Sequence, residues 1–203
     1  MQNMKTEREL KTVGFYDKSA EAWTSMHGGN EGNSYWQDEM ARFHELLPTG
    51  KVLEIGSGAG KDAAALIALG YDYVGTDASK GLIEVAQKRN PGAKFVNVAV
   101  EDLNFGEEKF DGFWTAATLL HIPKDEIDEA LGSIKSQLKP GLAGFISMKA
   151  GAGEREDKET SRWFAYYSQE EFREILERNG FVVAEENTRK GEKDWWICYW
   201  VKS

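Results

Sequence analysis

From residue 51 to residue 148, short apolar runs alternate with segments of helical periodicity. No other feature of the chain constrains its fold as tightly. Runs at 51–55, 73–76, 94–98, 110–115 and 142–148 have strand length, with helical patterns at 63–69 and 79–89 between the first three. After the fourth run, Ile127, Ala130, Leu131, Ile134 and Leu138 recur on one helical face. Phe172, Ile175 and Leu176 mark a further helix, stopped by Asn179-Gly180. Runs at 181–184 and 195–201 close the chain as two more strands. Strand–helix alternation predicts an α/β fold, a mostly parallel sheet with helices on both faces. Such sheets bind ligands beyond the carboxyl ends of their strands, so functional residues are expected just after strands one to four.

The first 50 residues stand outside this alternation. Trp36, Met40, Phe43 and Leu47 share one helical face, and Phe15 and Tyr16 precede Asp17, with Trp23 further on. The expectation is one domain: a helical N-terminal cap, 1–50, over the carboxyl edge of a core, 51–203. Residues 27–34 are rich in Gly and Asn, and residues 151–161 are charged and open with Gly151 and Gly153. They read equally as loops over a site and as solvated surface loops.

The 203 residues are 41% apolar, with no unbroken apolar stretch long enough for a transmembrane helix. The first ten residues lack the apolar segment of a secretory signal. Cys198, the single cysteine, reads as a small core residue. These features favour the cytoplasm. The formal charge of −9 argues against nucleic acid and anionic membranes as partners, because such binding rests on Lys and Arg. His27, His44 and His121 form no metal-ligand spacing, so no metal is expected.

The strongest chemical signal is Val52-Leu53-Glu54-Ile55-Gly56-Ser57-Gly58-Ala59-Gly60. Apolar residues deliver a strand to the core. Three glycines then let the backbone turn tightly against a ligand, at the start of a helix whose N–H groups face the same space. A dinucleotide fingerprint wants its third glycine at position 61, which is lysine. A phosphate loop wants Ser or Thr after Gly60-Lys61 and glycine at 55, and finds Asp62 and Ile55. A nucleophile elbow wants glycines two residues from the serine, whereas Ser57 is flanked directly. The second signal is Val74-Gly75-Thr76-Asp77-Ala78-Ser79. An acid ending strand two can accept both ribose hydroxyls. Equally, Asp77 or Ser79 can cap the following helix.

Together with Glu101-Asp102-Leu103, Phe110-Asp111 and Leu138-Lys139-Pro140-Gly141, these motifs resemble the class I S-adenosylmethionine-dependent methyltransferases of small molecules, over residues 52–183. The resemblance implies a Rossmann-like seven-stranded sheet with the last strand antiparallel, and S-adenosyl-L-methionine as cofactor. By position, Glu54 orients the amino end of the cofactor, and Gly56, Ser57 and Gly58 line its methionine part. Asp77, beside Ala78 and Ser79, holds the ribose; Val100 and Glu101 meet the adenine; Ala116 flanks the sulfonium. Phe15-Tyr16-Asp17-Lys18-Ser19-Ala20 resembles the entry helix of such enzymes, whose tyrosine closes over the cofactor. One departure is Ala99, where the family often places Asp or Asn for the adenine amino group; another is Leu142 in place of a second glycine.

On the acceptor side the resemblance points to residues 162–168 as a wall, with Trp163, Tyr166 and Tyr167 facing the substrate, and Ser168 with Glu171 forming a capping box. His121 is the candidate general base, with Tyr16 beside it in the catalytic set; a structural histidine before Pro123 is the alternative. Methyl transfer needs mostly in-line alignment, and a base matters only where the nucleophile must lose a proton. The Tyr16 segment, hinged at glycines 28, 29 and 32, is expected to meet the 151–161 loop over the methyl group. Two other functions share the glycine turn and Asp77: an NAD-type oxidoreductase and a non-catalytic S-adenosylmethionine-binding protein. The acceptor is expected to be a small molecule; neither the methylated atom nor the oligomeric state is readable.

Overall fold

The computed structural model describes residues 6–27, 35–141 and 143–202. The glycines at 28, 29 and 32, and Leu142, lie outside them. Seven strands form the main sheet: β1 (Lys51–Ile55), β2 (Asp72–Asp77), β3 (Lys94–Asn97), β4 (Gly112–Ala116), β5 (Ala143–Lys149), β8 (Val182–Lys190) and β9 (Trp195–Lys202). Their order is β3-β2-β1-β4-β5-β9-β8. β9 pairs antiparallel with both β5 and β8, and the other pairings are parallel. The order reverses between β1 and β4, which opens the crevice where ligands bind in such sheets.

Strand alternation sorts the core into two layers. Leu53, Phe113, Ile146, Ile197 and Tyr199 face α5 (Ile127–Ser136) and α6 (Gln169–Arg178). Val52, Tyr73, Trp114, Phe145, Cys198 and Trp200 face α2 (Gln37–Leu46), α3 (Lys61–Ala68) and α4 (Lys80–Arg89). All of these side chains are buried, each large apolar one contributing about 1.5–3 kcal/mol. Trp114 and Phe145 stack at 4.1 Å between centroids. Among the described residues no helix is long and apolar enough to cross a membrane.

The N-terminal residues form two helices with different positions. α1 (Glu7–His27) is one continuous helix. Its Asp17 Oδ1 accepts from Ser79 Oγ at 2.7 Å and from the Gly81 N–H at 3.0 Å, just beyond β2. α2 packs on a sheet face instead of the carboxyl edge: Trp36, Met40, Phe43 and Leu47 are the face read from the sequence, and all are buried.

Two other segments differ from the reading. Residues 151–161 were expected as loop, but they hold β6 (Glu154–Glu156), which pairs antiparallel with β7 (Trp163–Ala165). The turn between them is built on Asp157, whose Oδ1 accepts from the N–H groups of Glu159 and Thr160 and from Thr160 Oγ1. β8 also runs beyond the short apolar run at its start. It is an edge strand of exposed and half-buried residues, so its polar sequence hides it.

Candidate active site

The glycine turn is held from two sides. Gly56, Gly58 and Gly60 all have positive φ, and a Cβ on Gly56 would lie 2.1 Å from Thr118 Oγ1. The Ser57 N–H donates to the Thr76 carbonyl at 2.8 Å. The Gly58 N–H donates to Asp77 Oδ2, and the Ser79 N–H to Asp77 Oδ1, each at 2.8 Å. Asp77 therefore ties the turn after β1 to the turn after β2. The cap of α4 is Ser79, whose Oγ accepts from the Leu82 N–H at 3.1 Å. Asp77 itself lines the cavity. Burial pushes its carboxyl up to about 6, against the pull of the two N–H donors.

Glu54 is buried beneath the turn and accepts a short hydrogen bond from the Tyr73 hydroxyl. Burial, then the nearby Asp62, raises its carboxyl well above the usual range. Asp62 is also buried and accepts from Trp114 Nε1 at 3.0 Å. Beyond β3, Val100–Asp102 form a 3₁₀ turn, and Ala99, Val100 and Glu101 line the same cavity.

The cavity, of about 800 Å³, continues past β4. Ala117 has φ +55, unusual for a residue with a side chain, and its N–H donates to Ser147 Oγ at 2.9 Å. The 3₁₀ turn Leu119–His121 follows. His121 Nδ1 lies 2.7 Å from the Trp163 carbonyl, which can only accept, so Nδ1 carries the proton. Nε2 then accepts from the Tyr16 hydroxyl at 2.9 Å, and Arg162 Nη1 donates to the same phenol oxygen at 2.8 Å. Burial first, then Arg162 and Lys149, pull the imidazole down to about 3. His121 thus stays neutral, with both nitrogens engaged.

Tyr16, Glu54, Gly56, Ser57, Gly58, Asp77, Ala78, Ser79, Val100, Glu101, Ala116 and His121 all line this one cavity. Trp163, Tyr166 and Tyr167 stand outside its lining. Trp163 Nε1 donates to Glu154 and its ring lies under Arg8. Tyr166 is covered by Arg155. Tyr167 is buried against Phe172. The ribbon presents Arg162 and Phe164 to the cavity instead, joined by Lys149 of β5 and Trp196 of β9. Period-two alternation around Trp163 was the available signal for Arg162 and Phe164. Ser168 forms the capping box with Glu171.

The donor set fits S-adenosylmethionine, which combines a ribose, an adenine, a cationic sulfonium and an ammonium. Two acids that hold protons unusually tightly, the buried Glu54 and the half-buried Asp77, face a cavity such a cation would enter. Gly58 leaves open space where a Cβ would stand. The fold is of the doubly wound α/β class, with its cavity at the point where strand order reverses. Residues 52–141 match the family described as a methyltransferase domain. An uncharacterised protein of Methanocaldococcus jannaschii is 32% identical over 177 residues, 82% of this chain and 80% of that protein. A demethylmenaquinone methyltransferase of Clavibacter sepedonicus is 33% identical over 123 residues, 58% of this chain and 48% of that protein. The fold is shared with the 1,6-didemethyltoxoflavin N1-methyltransferase of Burkholderia thailandensis, solved with its acceptor and S-adenosylhomocysteine, at TM-score 0.79 and 21% identity, over 100% of this chain and 92% of that one. Residues 52–141 thus carry a methyltransferase domain, built on the fold of S-adenosylmethionine-dependent enzymes.

Proposed function

We propose that this methyltransferase acts on a small molecule held between α1 and the β6–β7 ribbon. One observation carries the reading: a single cavity joins the glycine turn and Asp77 to a chamber walled by Tyr16, His121, Arg162, Phe164 and Trp196. Asp77 would hold the ribose, Val100 and Glu101 the adenine, Glu54 the amino end, and Ala116 would flank the reacting centre. The cofactor brings a methyl group on a good leaving group, so the protein's task is alignment and exclusion of water. The relatives named for demethylmenaquinone and didemethyltoxoflavin act on small molecules, which supports the same acceptor class here. The net charge of −9 speaks against nucleic acid as acceptor.

Within this reading Tyr16 borders the acceptor and His121 positions it. An imidazole that titrates near 3, with its lone pair turned to Tyr16, is a poor base at neutral pH. Calorimetry with S-adenosylmethionine, S-adenosylhomocysteine and NAD, followed by mass spectrometry of products from phenols, enols, amines and thiols, tests the proposal. Methylated small-molecule product is the expected result. Cofactor binding without product across the whole panel overturns the acceptor class.

A further inference from the structure

Arg162 stands apart from the other arginines of the chain. Arg8, Arg42, Arg173, Arg178 and Arg189 each meet a carboxylate. Arg89 and Arg155 are exposed to solvent. Arg162 is half-buried in the cavity wall and makes no direct ion pair among the described residues; Asp157 feels its charge at one remove, through Thr160 Oγ1, and Glu9, Glu192 and Asp194 line the same cavity. Asp194 is taken by Lys149 at 2.7 Å. Two of the five guanidinium N–H groups are used, Nε on Thr160 Oγ1 at 3.1 Å and Nη1 on Tyr16. The rest have no acceptor among the described residues.

The surroundings of that charge are flat rings. The guanidinium carbon lies 4.7 Å from the Trp23 ring centroid, 4.8 Å from Phe15, 5.0 Å from Phe164 and 5.4 Å from Tyr16. Ring faces repay part of the desolvation of a cation, but not its hydrogen-bonding capacity. A planar fork with open donors among aromatic walls matches a flat anion.

We propose that the acceptor is a planar acid bound as its anion, a phenolate, enolate or ring-nitrogen anion, with its charge on Arg162. The inference rests on the methyl-transfer reading. It also accounts for the absence of a free base at His121. The acceptor's proton leaves to solvent on binding. The lone pair of the anion then forms the bond to the methyl carbon as the carbon–sulfur bond breaks, and that electron pair returns to sulfur, leaving a neutral thioether.

The test uses 4-nitrophenol and 7-hydroxycoumarin, whose ionisation is read by absorbance, with nitrobenzene and coumarin as uncharged counterparts, all with saturating S-adenosylhomocysteine. The phenolates are expected to bind roughly ten- to a hundredfold more tightly than the uncharged rings, and the bound phenols to ionise at least one pH unit below the free ones. Arg162→Met should abolish both effects, and Arg162→Lys should keep part of each. Equal binding of phenolates and uncharged rings, an unshifted or raised phenol pKa, no saturable binding by either phenolate, or an unaltered Arg162→Met overturns the proposal. S-adenosylhomocysteine affinity, measured on the same samples, reports the cofactor site separately: its absence in the wild type strikes the methyl-transfer reading itself.

Discussion

The phenol oxygen of Tyr16 stands 2.9 Å from Nε2 of His121, joining residues 105 positions apart. The bond ties α1 to the turn after β4. It is directional, because the Trp163 carbonyl claims the only ring proton at Nδ1. Arg162 donates to the same phenol from the ribbon, so three separate segments converge where β4 delivers the chain to the cavity.

The first prediction is that His121 stays neutral throughout the working pH range. Its folded pKa, about 3, lies below the usual 6.5. A depressed histidine lends stability above its unfolded pKa and loses it as pH falls toward the folded one. Relative to His121→Gln, the wild type should lose about 2 kcal/mol of unfolding free energy between pH 7 and pH 5. Denaturant titrations at both pH values measure this. A constant difference between the two proteins would show that His121 can take up a proton in the folded state.

Asp77 gives the opposite sign. Its carboxyl is raised to about 6, so its contribution to folding is fully present below about 4 and is lost as pH rises through about 6. If ribose hydroxyls bond to its carboxylate, cofactor affinity must fall below pH 6, toward tenfold per unit. Asp77→Asn should flatten that slope and weaken binding by about 1.5–3 kcal/mol. Calorimetry from pH 5 to 8 decides. Unchanged affinity in a folded variant leaves Asp77 only its bonds to Gly58 and Ser79.

The glycines at 56 and 58 should separate folding from binding. Both have positive φ, which costs a side-chain-bearing residue roughly 1–2 kcal/mol. In Gly56→Ala the methyl would also collide with Thr118, so this variant should unfold at a clearly lower temperature. In Gly58→Ala the methyl meets no protein atom within 4 Å and stands in a wall of the cavity. That variant should lose only the roughly 1–2 kcal/mol of backbone strain, clearly less than Gly56→Ala, and should lose most cofactor affinity. Equal losses of stability in the two would refute the distinction.

What was legible in the sequence follows from where information is local. Strands buried on both faces are near-continuous apolar runs, so β1, β2, β4 and β5 could be read directly, whereas β3, at the sheet edge, buries only Phe95. Gly56, Val100 and Glu101 sit in the first turn after a strand and Asp77 ends one, and the crevice of a parallel sheet gathers such positions whatever the tertiary detail. The proposed acceptor chamber draws on segments that no local pattern connects. Arg162 reads as one more charge in a polar stretch until the ribbon turns it inward, and Trp163, the more conspicuous aromatic, points the other way. Trp196 reaches the cavity from β9, and its ring meets Trp36, the residue before α2, edge-on at 5.2 Å.

The last prediction concerns α1 as a gate. It touches the site through Tyr16 and through Asp17 on the first turn of α4, and Thr12 Oγ1 accepts from the Trp163 N–H at 2.9 Å. Opening the chamber requires these bonds to break together, and a cofactor that fills the space beneath should hold them closed. Amides around Tyr16 are therefore expected to exchange at least tenfold more slowly with S-adenosylhomocysteine than without it. Two glycines let the idea be tested in both directions. A Cβ on Gly81 would stand 2.8 Å from the Asp17 carbonyl oxygen, so Gly81→Ala should push α1 off α4, speed exchange and weaken cofactor binding severalfold. Gly14 lies within α1 with nothing within 4 Å of an added Cβ, so Gly14→Ala should stiffen the helix and stabilise the protein by about 0.4–1 kcal/mol. Closure serves alignment, since a misplacement of about 1 Å can cost a hundredfold in rate. Equal protection around Tyr16 with and without S-adenosylhomocysteine would mean that α1 is a fixed wall, and Gly81→Ala would then lower stability without changing exchange selectively in α1.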